Sequence, residues 1–270
     1  MALDPSILAA WPLVIMGGFG VGFLVGMTGV GAGSLMTPFL IAQVGVQPTI
    51  AVGTDLLFAS ITKASAVAPH HTFGHVNWRI VRWLAAGSVP GALSMLALID
   101  WLHPDLEAMG HVIKTALVTA LMLSAVAIVI YPFIKSVVRG DGAAAEQAMP
   151  PLRPFPTLLL GLVLGSIVTL TSVGAGAIGV VVLTLLYPAL RPRHLIGTDI
   201  VHAVPLTLVS GLGHLGMGNT NFTLLGLLLV GSLPGIALGS RLTGRMPDWF
   251  LRLALAAILV FAASQLYAKI

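Results

Sequence analysis

Lys63 stands in the middle of an apolar run, FASITKASAVAP, and Asp55 lies eight residues before it. A second acid, Asp199, occurs 144 residues after Asp55 in a similar run, with His202 three positions later. Charge placed inside a bilayer is costly and usually serves function. A lysine at such a place snorkels to the surface, pairs with a carboxylate, or holds an anion, and snorkelling from mid-span is difficult. Eight residues of helix separate Asp55 and Lys63 by about 12 Å of rise and about 80° of rotation. They are not expected to pair within one helix, which leaves Lys63 for a substrate or the opposite half of the chain.

Asp55 and Asp199 each follow Gly-Thr, with Thr54 and Thr198 before them. Alone, either acid reads as a helix N-cap, which Thr and Asp both favour. Their occurrence as a pair suggests gating or proton carriage as well. Asp199 and His202 share one helix face. A proton relay through a group that titrates near neutrality and a structural hydrogen bond both remain open. His70 and His214 end equivalent helices, where the negative dipole end favours a donor, so they read first as caps and second as gating groups. His70, His71 and His75 cluster without a carboxylate or cysteine, a weak metal signal. No metal or cofactor is expected.

These residues must be held by elements that the composition makes membranous. The chain has 270 residues, 57% of them hydrophobic and 8% charged, and no cysteine. Its mean hydropathy is +1.01. Soluble domains carry about a quarter charged residues. Disulfides, thiolate metal sites and cysteine nucleophiles are excluded. The pI near 9.9 is explained by basic residues in short loops rather than by nucleic acid. The N-terminal stretch lacks the basic region of a cleaved signal.

Ten helical elements are predicted, at roughly 10–28, 32–45, 51–70, 79–99 and 111–133, then 155–170, 174–188, 196–216, 223–241 and 249–268. A hydrophilic linker, 135–154, divides a first repeat, 1–134, from a second, 155–270. TGVGAGS (28–34) matches TSVGAGA (171–177), and VGTDLLFA (52–59) matches IGTDIVHA (196–203). Sliding 53–91 by 144 residues leaves twelve identities, among them Gly53, Thr54, Asp55, His70, Asn77, Ser88 and Pro90. Five elements per half turn the second half upside down. With an external N-terminus, Arg79, Arg82, Lys135, Arg139, Arg153, Arg191, Arg193, Arg241, Arg245 and Arg252 all fall on the cytoplasmic side, and only Lys114 and Lys269 fall outside. The expected fold is an all-α polytopic membrane protein of two inverted-topology repeats, each starting with a Gly-broken helical hairpin, with both termini external. Pro90 and Pro234 are expected to kink matching helices, and the five tryptophans to anchor at the interfaces.

The breaks themselves need a reason. Gly29 to Gly33 and Ser172 to Gly176 interrupt apolar segments where lipid should be. Small residues also allow close helix packing, but matched breaks in two halves point to a transporter's central site. Non-helical backbone at membrane depth needs protein or a wet cavity around it, and helix N-termini attract anions. The expected substrate-binding set is Gly31, Gly33, Ser34, Thr54, Lys63, Gly174, Gly176 and Thr198. The coupling or gating set is Asp55, Asp199, His202, His70 and His214.

The paired GVGAGS and SVGAGA hairpins, the paired GTD starts and the H…GHVNWR and H…GNTNF ends resemble the sulfite exporter TauE/SafE (TSUP) family over roughly 12–268. Many members have Ser or Asn where this chain has Asp55 and Asp199. The resemblance implies a transporter of sulfur-containing anions, such as sulfite, thiosulfate or small organosulfonates, across the bacterial inner membrane. Its partners would be that anion, the lipid bilayer and, where coupling applies, protons; no nucleic acid is implied, and oligomeric state is open. No Walker A sequence occurs, so ATP is not the direct driver. Two other readings are weighed. Ser34 with His70 as base resembles a hydrolase dyad, yet Ser34 becomes Ala177 in the second half. A passive anion channel would need a continuous lined pore, and the in-span charges are sparse and partly acidic.

Overall fold

The computed structural model describes residues 10–28, 33–72, 74–102, 106–139, 151–242 and 246–270. Among these the chain is all-helical. Ten helices follow one another: α1 (Trp11–Thr28), α2 (Gly33–Phe39), α3 (Pro48–Thr72), α4 (Trp78–Leu102), α5 (Leu106–Arg139), α6 (Pro154–Thr171), α7 (Ala177–Leu186), α8 (Pro192–Gly216), α9 (Phe222–Leu242) and α10 (Asp248–Tyr267). Their order matches the ten expected elements. Three bounds differ in a physical way: α5 runs six residues past the expected end of its apolar run, through Lys135 to Arg139, and α3 and α8 begin on Pro48 and Pro192. Proline is favoured in the first turn, where its missing N–H costs nothing.

Among the described residues seven helices are long and apolar enough to cross a membrane: α1, α4, α5, α6, α8, α9 and α10. α3 equals α8 in length at 25 residues, with Asp55 and Lys63 interrupting its apolar run. The two remaining helices are half-length. α7 has 10 residues, about 15 Å against a hydrocarbon core of about 30 Å. α2 holds Pro38, which cannot donate a helical hydrogen bond, and the chain then widens into a π turn over Leu40–Val44. The hairpin arms are therefore too short to span alone.

The break in the second hairpin is built by backbone geometry. Ser172 ends α6 in the left-handed region, φ 59°, and its N–H donates to Val168 O at 2.7 Å. Gly174 and Gly176 follow with φ of 119° and 129°, values that a side chain makes expensive. The chain thereby leaves one helix and re-enters another within five residues.

Helices then pair across the halves. Gly18 and Gly22 of α1 lie against the backbone of Leu228 and Ser232 in α9, while Gly231 and Gly235 of α9 lie against Ile15 and Phe19 of α1. The same device joins α4 to α6: Gly87 and Gly91 meet Leu158 and Leu162, and Gly161 and Gly165 meet Leu84 and Ser88. In each case a Cβ would collide with the facing backbone, so small residues permit the close approach. α3 runs beside α8 at the centre and α5 beside α10. Large apolar side chains such as Met16, Leu93, Leu123, Phe133 and Val230 are exposed, as are all five tryptophans. An apolar exterior of this kind is what a lipid-facing surface requires.

Candidate functional site

Four ionisable side chains are buried together where α3 meets α8. Lys63 is 8% exposed, Asp199 3%, and Asp55 and His202 0%. Lys63 Nζ donates to the carbonyl of Ala175 at 3.4 Å. Ala175 lies between Gly174 and Gly176, so the lysine of the first half reaches the break of the second. Both carboxylates, Asp199 and Asp55, face Lys63. The same ammonium also acts on His202.

The two acids are held differently. Asp55 Oδ2 accepts the Thr37 N–H at 3.2 Å and also the Thr37 hydroxyl, which ties α3 to the first half-helix. The Ser172 hydroxyl lies beside the same carboxyl, although neither Ser172 Oγ nor Asp55 Oδ1 completes a hydrogen bond of ordinary geometry. Asp199 presses on the second half-helix instead: a Cβ at Gly179 would strike its Oδ1, and that oxygen has no hydrogen-bond partner. His202 Nε2 bonds Ser88 Oγ at 2.8 Å, and its Nδ1 has no partner. Buried polar atoms are normally satisfied. Four side chains with unmet capacity around one ammonium mark a place built for a polar guest.

Other expected site residues lie elsewhere. Thr54 Oγ1 accepts the Asn221 N–H, and Thr198 Oγ1 accepts the Asn77 N–H, both at 3.0 Å. Each of these oxygens joins one half of the chain to the other. His214 Nε2 donates to Thr169 O at 2.9 Å, a bond between α8 and α6. Gly33 and Ser34 open α2, and Ser34 is buried. Gly31 and the His70 side chain lie outside the described residues. Among the described residues no group of three His, Cys, Asp or Glu side chains could hold a metal; His75 and His194 meet edge-to-face at 5.7 Å.

Sequence reasoning missed Ser172, Thr37 and Ser88 as neighbours of the charged cluster. One signal was available for Ser172, the only non-glycine with positive φ among the described residues: it replaces Gly29 in the matched break, a departure in an otherwise repeated motif.

The chain as a whole has relatives among known proteins. Residues 14–266 match the model of the sulfite exporter TauE/SafE family. The chain belongs to that family. Family members that it resembles include the probable membrane transporter protein YjnA of Bacillus subtilis, 36% identical over 255 residues, 94% of this chain and 98% of the relative. YdhB of the same organism, also described as a probable membrane transporter protein, is 25% identical over 244 residues, 90% of this chain and 94% of the relative. A probable membrane transporter protein of Xylella fastidiosa is 27% identical over 238 residues, covering 84% of this chain and 82% of the relative. No solved structure matches the chain. Membership of the TauE/SafE family makes the protein a multi-pass membrane transporter and not an enzyme, so the Ser34–His70 hydrolase reading is set aside.

Proposed function

We propose that this transporter is a secondary exporter of a small sulfur-containing anion, sulfite, thiosulfate or an organosulfonate, across the bacterial inner membrane. The observation that carries the reading is Lys63, a buried cation held against the backbone of the opposite half's break. A cation next to the start of a half-helix is suited to a tetrahedral oxyanion, because unpaired N–H groups and the positive dipole end add to its charge. The short arms favour a binding place near the bilayer midplane, at the junction of two halves.

Two inverted repeats, 1–134 and 155–270 around the linker 135–154, would supply the alternating access. Support comes from the reciprocal Thr–Asn bonds and the reciprocal glycine crossings, each made once per half. The charges favour periplasmic termini, since Lys114 and Lys269, the two lysines assigned outside, meet each other: Lys114 Nζ donates to Lys269 O at 2.7 Å. Protons are the proposed coupling species.

The experiment is ligand-dependent thermal stabilisation of purified protein with sulfite, thiosulfate, sulfate, isethionate, acetate and phosphate, repeated on Lys63→Ala. A ligand that binds only the folded state raises its apparent stability. A shift confined to sulfur anions and lost in Lys63→Ala is the expected result. A shift for carboxylates alone, or none for any anion, would remove the substrate class.

A further inference from the structure

Two negative side chains, Asp55 and Asp199, face one positive side chain, Lys63, in the same buried cluster. With all three ionised the cluster is net negative and repels an anion. Anion binding at Lys63 therefore requires that a carboxylate take up a proton. The environments of the two acids differ enough to decide which.

Asp55 Oδ2 accepts two donors from Thr37, one of them a backbone N–H that can only donate. A carboxylate acting as acceptor suits both bonds. Each acid leaves its Oδ1 without a donor, but that of Asp199 lies against the bare Cα of Gly179, and no threonine clamps its carboxyl as Thr37 clamps that of Asp55. A buried charge without hydrogen bonds is costly, and the group is better neutral. The sequence supplies the asymmetry: Thr37 corresponds in the repeat to Val180, which has no hydroxyl. The groups that face Asp199 are few. From α3 comes Lys63, which Asp55 also faces, and from α8 itself His202, bonded to Ser88 of α4. The other charged residues of α4, Arg79, Arg82 and Asp100, lie at its ends. α6 and α7 contain no ionisable side chain.

We propose that Asp199 is the exchangeable proton site of this transporter and Asp55 a fixed carboxylate that positions the first half-helix. The proposal rests on the reading of Lys63 as the anion site. A proton on Asp199 removes the competing negative charge from Lys63, so anion and proton enter the pocket together.

The test uses full-length protein in lipid, without ligand, and infrared difference spectra between weakly acidic and weakly alkaline buffer. The expected result is a buried carboxylic-acid carbonyl band that disappears in Asp199→Asn, persists in Asp55→Asn and returns, displaced, in Asp199→Glu. A band that survives in Asp199→Asn, or is lost in Asp55→Asn, would overturn the assignment. Isethionate, whose sulfonate stays ionised throughout, is then added. The expected outcome is a stronger band and an affinity that weakens about tenfold per pH unit toward alkaline buffer, as one linked proton requires. In Asp199→Asn the affinity is expected to be independent of pH. Binding of isethionate without a change in the band would overturn the linkage. If isethionate and thiosulfate change neither the band nor thermal stability, the sulfur-anion reading fails, while the ligand-free spectra still decide the proton site.

Discussion

Thr198 Oγ1 accepts the backbone N–H of Asn77, 121 residues away in sequence, at 3.0 Å. Asn77 itself caps α4, its Oδ1 accepting the N–H groups of Arg79 and Ile80. A helix start leaves its first N–H groups without internal partners. Here the asparagine satisfies two of them, and a threonine from the other half satisfies the asparagine's own. Thr54 and Asn221 repeat the arrangement at the start of α9, where Asn221 Oδ1 accepts Leu224 N–H at 3.0 Å. The GTD motif thus fastens each half to the other through its threonine and presents its acid to the centre.

Thr198→Val leaves the buried Asn77 N–H unpaired, and Thr54→Val the part-buried Asn221 N–H. Each is expected to cost about 1–2 kcal/mol of stability, with Thr→Ser near neutral. Chemical denaturation of the purified protein measures it; a valine variant as stable as wild type at both positions would show that the bonds are dispensable.

The glycine crossings are expected to be intolerant in a position-specific way. Gly22→Val forces α1 away from Ser232 of α9, whereas nothing lies within 4 Å of a Cβ at Gly20. Overpacking of this kind costs about 1–3 kcal/mol or more, and Gly20→Ala is expected to be neutral or mildly stabilising. Thermal unfolding of the two variants side by side separates steric exclusion from a general loss of glycine flexibility.

Lys63→Met strands two buried acids. In alkaline buffer it is expected to destabilise the protein by about 3 kcal/mol, the scale of breaking a buried ion pair. Adding Asp199→Asn is expected to recover more of that loss than adding Asp55→Asn, since Thr37 supports the charge of Asp55 while Asp199 Oδ1 has no donor. A double-mutant cycle reads the coupling; equal recovery from both acids would contradict the asymmetry.

Absence of cysteine makes topology directly measurable. Asp100 and Arg79 sit near opposite ends of α4 and are exposed. In intact cells, Asp100→Cys is expected to react with a membrane-impermeant thiol reagent, and Arg79→Cys only after permeabilisation. The reverse pattern would invert the proposed orientation.

Gly179→Ala places a methyl group on Asp199 Oδ1. Because the carboxyl can rotate away, the fold is expected to survive with stability changed by less than about 1 kcal/mol, while transport falls roughly tenfold from a displacement of about 1 Å at a positioned group. Uptake into proteoliposomes alongside thermal unfolding checks both halves of the prediction.

The ten elements follow from local properties: hydropathy decides what lies in lipid, and glycine and proline interrupt helices wherever they fall. Lys63 is legible as an outlier because charge in an apolar run is rare, and helical geometry alone denies it Asp55 as an intrahelical partner. Its actual hydrogen-bond acceptor, Ala175, lies 112 residues away and carries no side-chain signal, since a backbone carbonyl looks the same at every position. Thr54 and Thr198 read as candidate ligands because hydroxyl donors suit an oxyanion; in the fold their oxygens accept the N–H groups of Asn221 and Asn77. Asp55 and Asp199 are indistinguishable as GTD motifs. Only the fold brings Thr37 onto one and Gly179 against the other, because the two half-helices present different residues at equivalent places, and that contact makes one acid a clamp and leaves the other without a donor.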